Sequence, residues 1–232
     1  KIIAVYALLT SAGVAFSQNV PTVEPRNVMQ LSASGAVEVQ QDLLVLTLGA
    51  SADGKDAGNV QSQLRQVVDA ALQVARRQAE PVQMDVRTGQ FSLYPRHGKN
   101  GEIAGWQGRA ELVLEGRDFG RITATAARIP AMTIAHVGFG LSRSESSRAE
   151  REAQLLAIEN YKTRAASLAQ AFGFGGYVLR EVSVSSHSSG SGPRPRMMAM
   201  EAKMSSMADA PLAVEAGKST VEVTVSGSVQ MR

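Results

Sequence analysis

Near the end of the chain the polarity alternates without a break. Val221, Val223, Val225, Gly227 and Val229 fall on one side, and Glu222, Thr224, Ser226, Ser228 and Gln230 on the other. A period of two marks a strand that is half buried in an antiparallel sheet. The same pattern, less regular, appears upstream. Residues 29–39 and 43–51 read as two strands around a turn, with Gly35 as a candidate bulge. Residues 82–95 and 101–116 read as a hairpin through "RHGKNG", and 132–142 and 177–186 as further strands.

A period near 3.6 interrupts the strands three times. Val60, Leu64, Val67, Ala71 and Val74 define an amphipathic helix in the N-terminal half, closed by Pro81. "RDFGRITATAARI" is a short helix capped by Asp118 or a neighbour and ended by Pro130. The longest helix runs from Ser144 or Ser146, as its cap, to a stop at Gly173. Ala149, Ala153, Ala157, Tyr161 and Ala165 recur along it every fourth residue. Such a stripe of mostly small residues lets a helix lie close to a sheet. Strand runs broken by a few helices predict an α+β fold with largely antiparallel sheet, one long C-terminal-half helix and one amphipathic N-terminal-half helix.

The first residues differ in kind. "KIIAVYALLTSAGVAF" has a basic start and an apolar run over 2–14, with Ala15 and Ser17 placed for cleavage before Gln18. The expectation is a signal peptide over 1–17, export to the periplasm and a single domain over 18–232. No later apolar run is long enough to span a bilayer as a helix. The chain has no cysteine, which excludes disulfides, a thiolate nucleophile and Cys-ligated zinc. Its formal charge of +3 and pI near 9.4 invite a nucleic-acid reading. The basic residues are scattered, however, and no aromatics interleave with them, so no nucleic-acid partner is expected.

Seven stretches in order carry a resemblance. They are "LSASGAVEVQQDLLVLTLGASADG" with Asp42, Gly49 and Gly54 in step, "VRTGQFSLYP", "IAGWQGRAE" with Trp106 as its aromatic, "VGFGLSRSE", "SLAQAFG", the Met/Ala/Pro-rich loop, and "APLAVEAGKSTVEVTVSGSV". Together they resemble the SIMPL-domain family of exported YggE-like bacterial proteins, over nearly the whole chain after residue 17. Three places depart from the family pattern: Gln41 stands where a proline is usual, Tyr161 where the helix has a small residue, and "FGGY" before the next strand. The resemblance implies a periplasmic α+β domain that often self-associates, without an agreed enzymatic activity, some members being linked to tolerance of oxidative stress.

Catalytic chemistry is not visible in the residues. His97, His136 and His187 are far apart, and none has a partner at metal-ligand spacing. No G-x-S-x-G elbow activates a serine. "GFGFGG" follows a helix rather than opening one, so it reads as a helix stop and not a phosphate loop. Glu145, Glu150, Glu152 and Glu159 alternate with Arg148, Arg151 and Arg164 as a solvated charged face. No catalytic residue and no cofactor is expected. The expected function is non-enzymatic, by self-association or partner binding in envelope or oxidative stress defence. The final strand, coming after a long loop, is expected at a sheet edge, where pairing with a second copy would make a homo-oligomer.

One chemistry stands out. Residues 194–207, "RPRMMAMEAKMSSM", hold five of the nine methionines, inside a flexible loop over 187–217. In a helix, Met197, Met200, Met204 and Met207 would span about 80° of arc. An apolar contact surface is the favoured use of this stripe, since Met adapts to irregular surfaces. The alternatives are copper handling, because thioethers suit Cu(I), and an oxidant sink. Replacing all four by Leu keeps the volume and removes the sulfur. On the favoured reading the Leu variant folds and assembles like wild type and no Cu(I) is bound in anaerobic competition. Stoichiometric Cu(I) bound by wild type and not by the Leu variant would establish the copper reading instead.

Overall fold

The computed structural model describes residues 26–189 and 214–232. Ten elements follow one another: β1 (Val28–Gln40), β2 (Leu43–Gly54), α1 (Ala57–Gln78), β3 (Asp85–His97), β4 (Ile103–Gly116), α2 (Phe119–Ala127), β5 (Thr133–Gly140), α3 (Arg143–Ala171), β6 (Tyr177–Ser189) and β7 (Lys218–Met231). They build two antiparallel sheets, one ordered β1-β7-β6 and the other β3-β4-β2-β5. Helix α3 packs on the first sheet, and α1 and α2 on the second. The α+β class, the long C-terminal-half helix and the amphipathic α1 are as the periodicities require.

The four-stranded sheet follows from alternation. Leu44, Leu46 and Leu48 of β2 lie beside Leu112 and Leu114 of β4, all essentially inaccessible, and meet Ala71 and Ala75 of α1 and Ile122 of α2. Burying one such leucine contributes roughly 1.5–3 kcal/mol. The helix ends are set by short polar side chains. Asp56 accepts the Asn59 N–H at 2.8 Å and Asp118 the Arg121 N–H at 2.9 Å. The Arg121 amide, more than any other group, holds the Asp118 carboxyl below its ordinary range.

Four expectations change. The first two strands do not form a hairpin: β1 pairs with β7, while β2 pairs with β4 and β5. A two-residue hairpin favours residues with positive φ. Gln41 and Asp42 are not among the described residues that adopt it, so the chain diverges here into separate sheets. Gly35 is not a bulge, because the β1–β7 register runs unbroken from Val28 to Gln40. A Cβ on Gly35 would instead strike the Ala153 carbonyl and lie 2.5 Å from the Ala157 amide, so its bare backbone is where α3 touches the sheet. Neither Ser144 nor Ser146 caps α3. Ser142 does, in extended conformation, with its Oγ accepting the Glu145 N–H at 3.3 Å. Lastly, β7 is not an edge. It lies between β1 and β6 and is paired along both sides, which hides its whole valine face under α3.

The alanine stripe works as its spacing implies. Ala149, Ala153, Ala157, Ala165 and Ala169 are buried, and α3 runs antiparallel to β1. Asn160 Nδ2 donates to the Ser34 carbonyl at 2.9 Å and Arg164 Nη1 to the Ser32 carbonyl at 3.0 Å, so rising helix numbers meet falling strand numbers. Gly173, at φ +79°, stops the helix. Tyr161 interrupts the stripe. Its ring is buried with Val223, Val225 and Val229, and its hydroxyl has no hydrogen-bond partner. Burial first, and then the neighbouring Tyr177, push the Tyr161 hydroxyl above its ordinary value of 10.0.

Two substitutions check this packing. Gly35→Ala should destabilise the fold by about 3 kcal/mol in denaturant titration, because the atoms it meets are backbone and cannot yield. Tyr161→Phe should stabilise it by about 1 kcal/mol, by removing a buried hydroxyl with no partner. The pH dependence has a definite sign. Above pH 10 the unfolded tyrosine loses its proton while the folded one keeps it, so wild-type stability falls as pH rises. That part of the alkaline loss should be missing from the Phe variant.

Candidate interaction surface

Both sheets hang on one short joint. Asp42, directly before β2, accepts the Ser142 N–H at 2.6 Å on one oxygen and the Ser142 hydroxyl at 2.7 Å on the other. The second oxygen also faces Arg117 Nε at 3.0 Å. The Asp42 N–H donates to the Gly140 carbonyl at 3.1 Å. One residue thus ties the start of β2 to the end of β5, to the cap of α3 and to the link between β4 and α2. Gln41 ties in the remaining strand, through its N–H to the Gly217 carbonyl at 3.0 Å and its Nε2 to Ser219 Oγ at 3.0 Å. A proline at position 41 would have no N–H to give, so the departure from the family pattern adds a bond here.

The joint fixes where α3 lies, and that leaves part of the three-stranded sheet uncovered. Helix α3 sits over β1 and β7 and only grazes β6. On β6, Leu179 stands opposite Val229, Val182 opposite Gly227 and Val184 opposite Val225. Directly opposed residues share a face, so all three point to the side that α3 covers elsewhere. They are nonetheless 47%, 46% and 48% exposed.

A bulge sets this phase. Between Leu179 and Glu181 the register slips, with Arg180 as the extra residue. Without the slip, Glu181 and Ser183 would face the helix side and the two valines the other. Bulges at sheet edges commonly re-aim side chains in this way. The outer edge of β6 pairs with no other strand among the described residues. Three half-exposed aliphatic side chains therefore line the edge of a thirteen-residue strand. An exposed apolar edge of this length is a candidate for pairing with another chain.

The residues singled out in the sequence do not converge. Met197, Met200, Met204 and Met207 lie outside the described residues, as do 1–17. His97 ends β3, with Nδ1 at 3.1 Å from the Gly101 carbonyl. His136 is on β5 and exposed, and His187 pairs with Glu222 in the β6–β7 ladder. Among the described residues, no three His, Asp or Glu side chains are grouped to hold a metal ion. Glu145 and Arg148 form an i,i+3 ion pair at 2.7 Å on the charged face of α3. No helix of the described residues is long and apolar enough to cross a membrane. Sequence reasoning missed the β6 surface. The alternation of Val182 and Val184 was a visible signal of one apolar face, but nothing local says that α3 stops short of it.

The comparisons with known proteins bear on family. The model of the SIMPL family, described as a protein of unknown function (DUF541), matches residues 29–229. The chain belongs to the SIMPL family. None of the curated proteins matches it. Among solved structures, a crystal structure of AtUAH in complex with glyoxylate is similar at 14% identity, over 55% of this chain and 33% of that one, with a TM-score of 0.23. This SIMPL chain thus spans about a third of that protein, and so low a score carries no inference about fold or activity.

The Asp42 joint is open to test. Asp42→Asn keeps the size, loses the charge facing Arg117 and turns an amide donor toward the Ser142 donors. The expected loss is about 2 kcal/mol of unfolding free energy, the scale of a hydrogen bond to a charged group. Arg117→Met combined with Asp42→Asn should cost less than the sum of the two single changes, in a double-mutant cycle on thermal or denaturant unfolding.

Proposed function

We propose that this SIMPL protein is a non-enzymatic module of the cell envelope, exported by its first seventeen residues, that works by self-association through β6. The observation that carries the reading is the line of Leu179, Val182 and Val184 along the strand edge that α3 leaves uncovered. Pairing two copies along β6 would satisfy the edge hydrogen bonds and bury the aliphatic strip on both. The seat of assembly in this reading is β6, and not the final strand, which is interior. The basic start and apolar run of residues 1–16 support export. An assembly at the envelope is also what the resemblance to stress-linked relatives leads one to expect.

The test is the mass in solution of protein recovered from periplasmic extract. Wild type should begin at Gln18 by intact-mass analysis and scatter light as a multiple of one chain at micromolar concentration. Val182→Lys with Val184→Lys should give a single-chain mass at an unchanged unfolding temperature, because both side chains are already half exposed. A wild-type mass of one chain, or a Lys variant that still assembles, overturns the reading of β6. A chain that still carries residues 2–14 overturns the export reading.

A further inference from the structure

The four-stranded sheet holds a second feature, independent of β6. A groove of about 310 Å³ opens between α1 and the edge strand β3, within the lower range of small-molecule sites, roughly 300–1,000 Å³. Gln61, Arg65, Val68 and Asp69 of α1 form one wall. Ala110 of β4 is on the floor, and β3 forms the rim from Thr88 to Phe91.

The rim is again a bulge. Thr88 pairs with Leu112 and Phe91 with Ala110, so three steps along β3 match two along β4. Glu111 also lines the groove, where its carboxylate accepts the Gln90 N–H at 3.2 Å and holds the slipped backbone. The slip decides which side chain enters the groove. Counting by twos from Thr88 would send Gln90 toward α1, whereas the bulge sends Phe91. Phe91 therefore stands on the core side of its strand, opposite the buried Ala110, and is still 49% exposed. Phe91 is thus an inward-facing aromatic that its own protein leaves half uncovered at the rim of the groove.

The polar wall has its own character. Arg65 and Asp69 are one helical turn apart, about 5–6 Å between Cβ atoms. Neither joins any of the ion pairs among the described residues, including one with the other. The order of base before acid along the helix is the less favourable one for pairing across a turn. Next to Val68 and Phe91, the helix therefore presents a cation and an anion separately.

The geometry points to a binding site for a zwitterion with an apolar side chain, an α-amino acid or a short peptide, its carboxylate on Arg65, its ammonium on Asp69 and its side chain between Val68 and Phe91. The two charges of such a ligand match the two of the α1 wall in sign, the third lining charge, Glu111, being engaged by the Gln90 N–H, and the apolar body matches Val68 and Phe91. A purely cationic or purely anionic ligand would leave one wall charge unanswered.

Titrating the isotope-labelled full chain from periplasmic extract by NMR tests this. The probes are phenylalanine, a phenylalanine-containing dipeptide, 3-phenylpropionate and phenethylamine. Phenylalanine or the dipeptide should shift the amides of 61–69 and 88–91, and whichever saturates at lower concentration identifies the source. The two single-charge probes should bind at least about tenfold more weakly. Arg65→Gln and Asp69→Asn should each weaken the zwitterion about tenfold, with unfolding temperature unchanged because both side chains are exposed. Phe91→Ala should weaken all four probes. No localised shifts with either zwitterion at millimolar concentration, equal binding of the single-charge probes, or wild-type affinity in Arg65→Gln would overturn the assignment. The site is on the other sheet from β6, so its failure and the failure of the assembly reading are read from separate measurements.

Discussion

The two sheets keep their arrangement because one carboxylate stands where they part. Asp42 follows β1 and precedes β2, and its two oxygens are shared among the Ser142 amide, the Ser142 hydroxyl and the Arg117 guanidinium. Ser142 in turn caps α3. The direction in which α3 leaves the four-stranded sheet and reaches the three-stranded one is thus tied to the same residue that sends β1 and β2 apart. The carboxylate is only partly shielded from water, with 19% of its side chain exposed. The bonds it accepts are charge-assisted without a full desolvation cost, the regime in which such bonds contribute most clearly.

Once α3 is launched from this joint, its footprint follows from size. Alanine at every fourth position and Gly35 on β1 bring the helix onto β1 and β7. A helix is about 10 Å wide and neighbouring strands are about 4.8 Å apart, so one helix covers two strands well and a third poorly. The uncovered third is β6. Its half-exposed valines follow from covering a three-stranded sheet with one helix. The four-stranded sheet has two helices, and there the uncovered strip falls at the far edge, where β3 bulges beside α1. Both candidate surfaces thus occupy the margin of a helix on an edge strand, and in both a bulge turns apolar side chains toward the gap.

Elements were legible in the residues because their causes are local. The valine alternation of β7, the spacing of Val60, Leu64 and Ala71 in α1, the Asp118 cap and the Gly173 stop each depend on a few neighbours, and each has the form its pattern requires. The cap of α3 was misjudged by two or four residues because Ser142, Ser144 and Ser146 are equivalent as side chains. What selects Ser142 is Asp42, a hundred positions earlier in the chain. The candidate surfaces were not legible for the same reason. Val182 and Phe91 are unremarkable strand residues until the helix opposite is known to miss them.

The sequence by itself determined the α+β class, the elements in their order, the faces they bury and membership of the SIMPL family, since periodicity and ordered motifs are properties of consecutive residues. Only the tertiary structure decided which strands are partners. It separated β1 from β2, moved β7 from a supposed edge to the centre, and turned Gly35 from a bulge into the contact point of a helix. The physical reason is that strand pairing is set by contacts between distant segments. Any alternating strand can hydrogen-bond any other, and the choice among them rests on a joint without the positive-φ residues a two-residue hairpin needs, and on a helix that must find its small-residue face a matching gap.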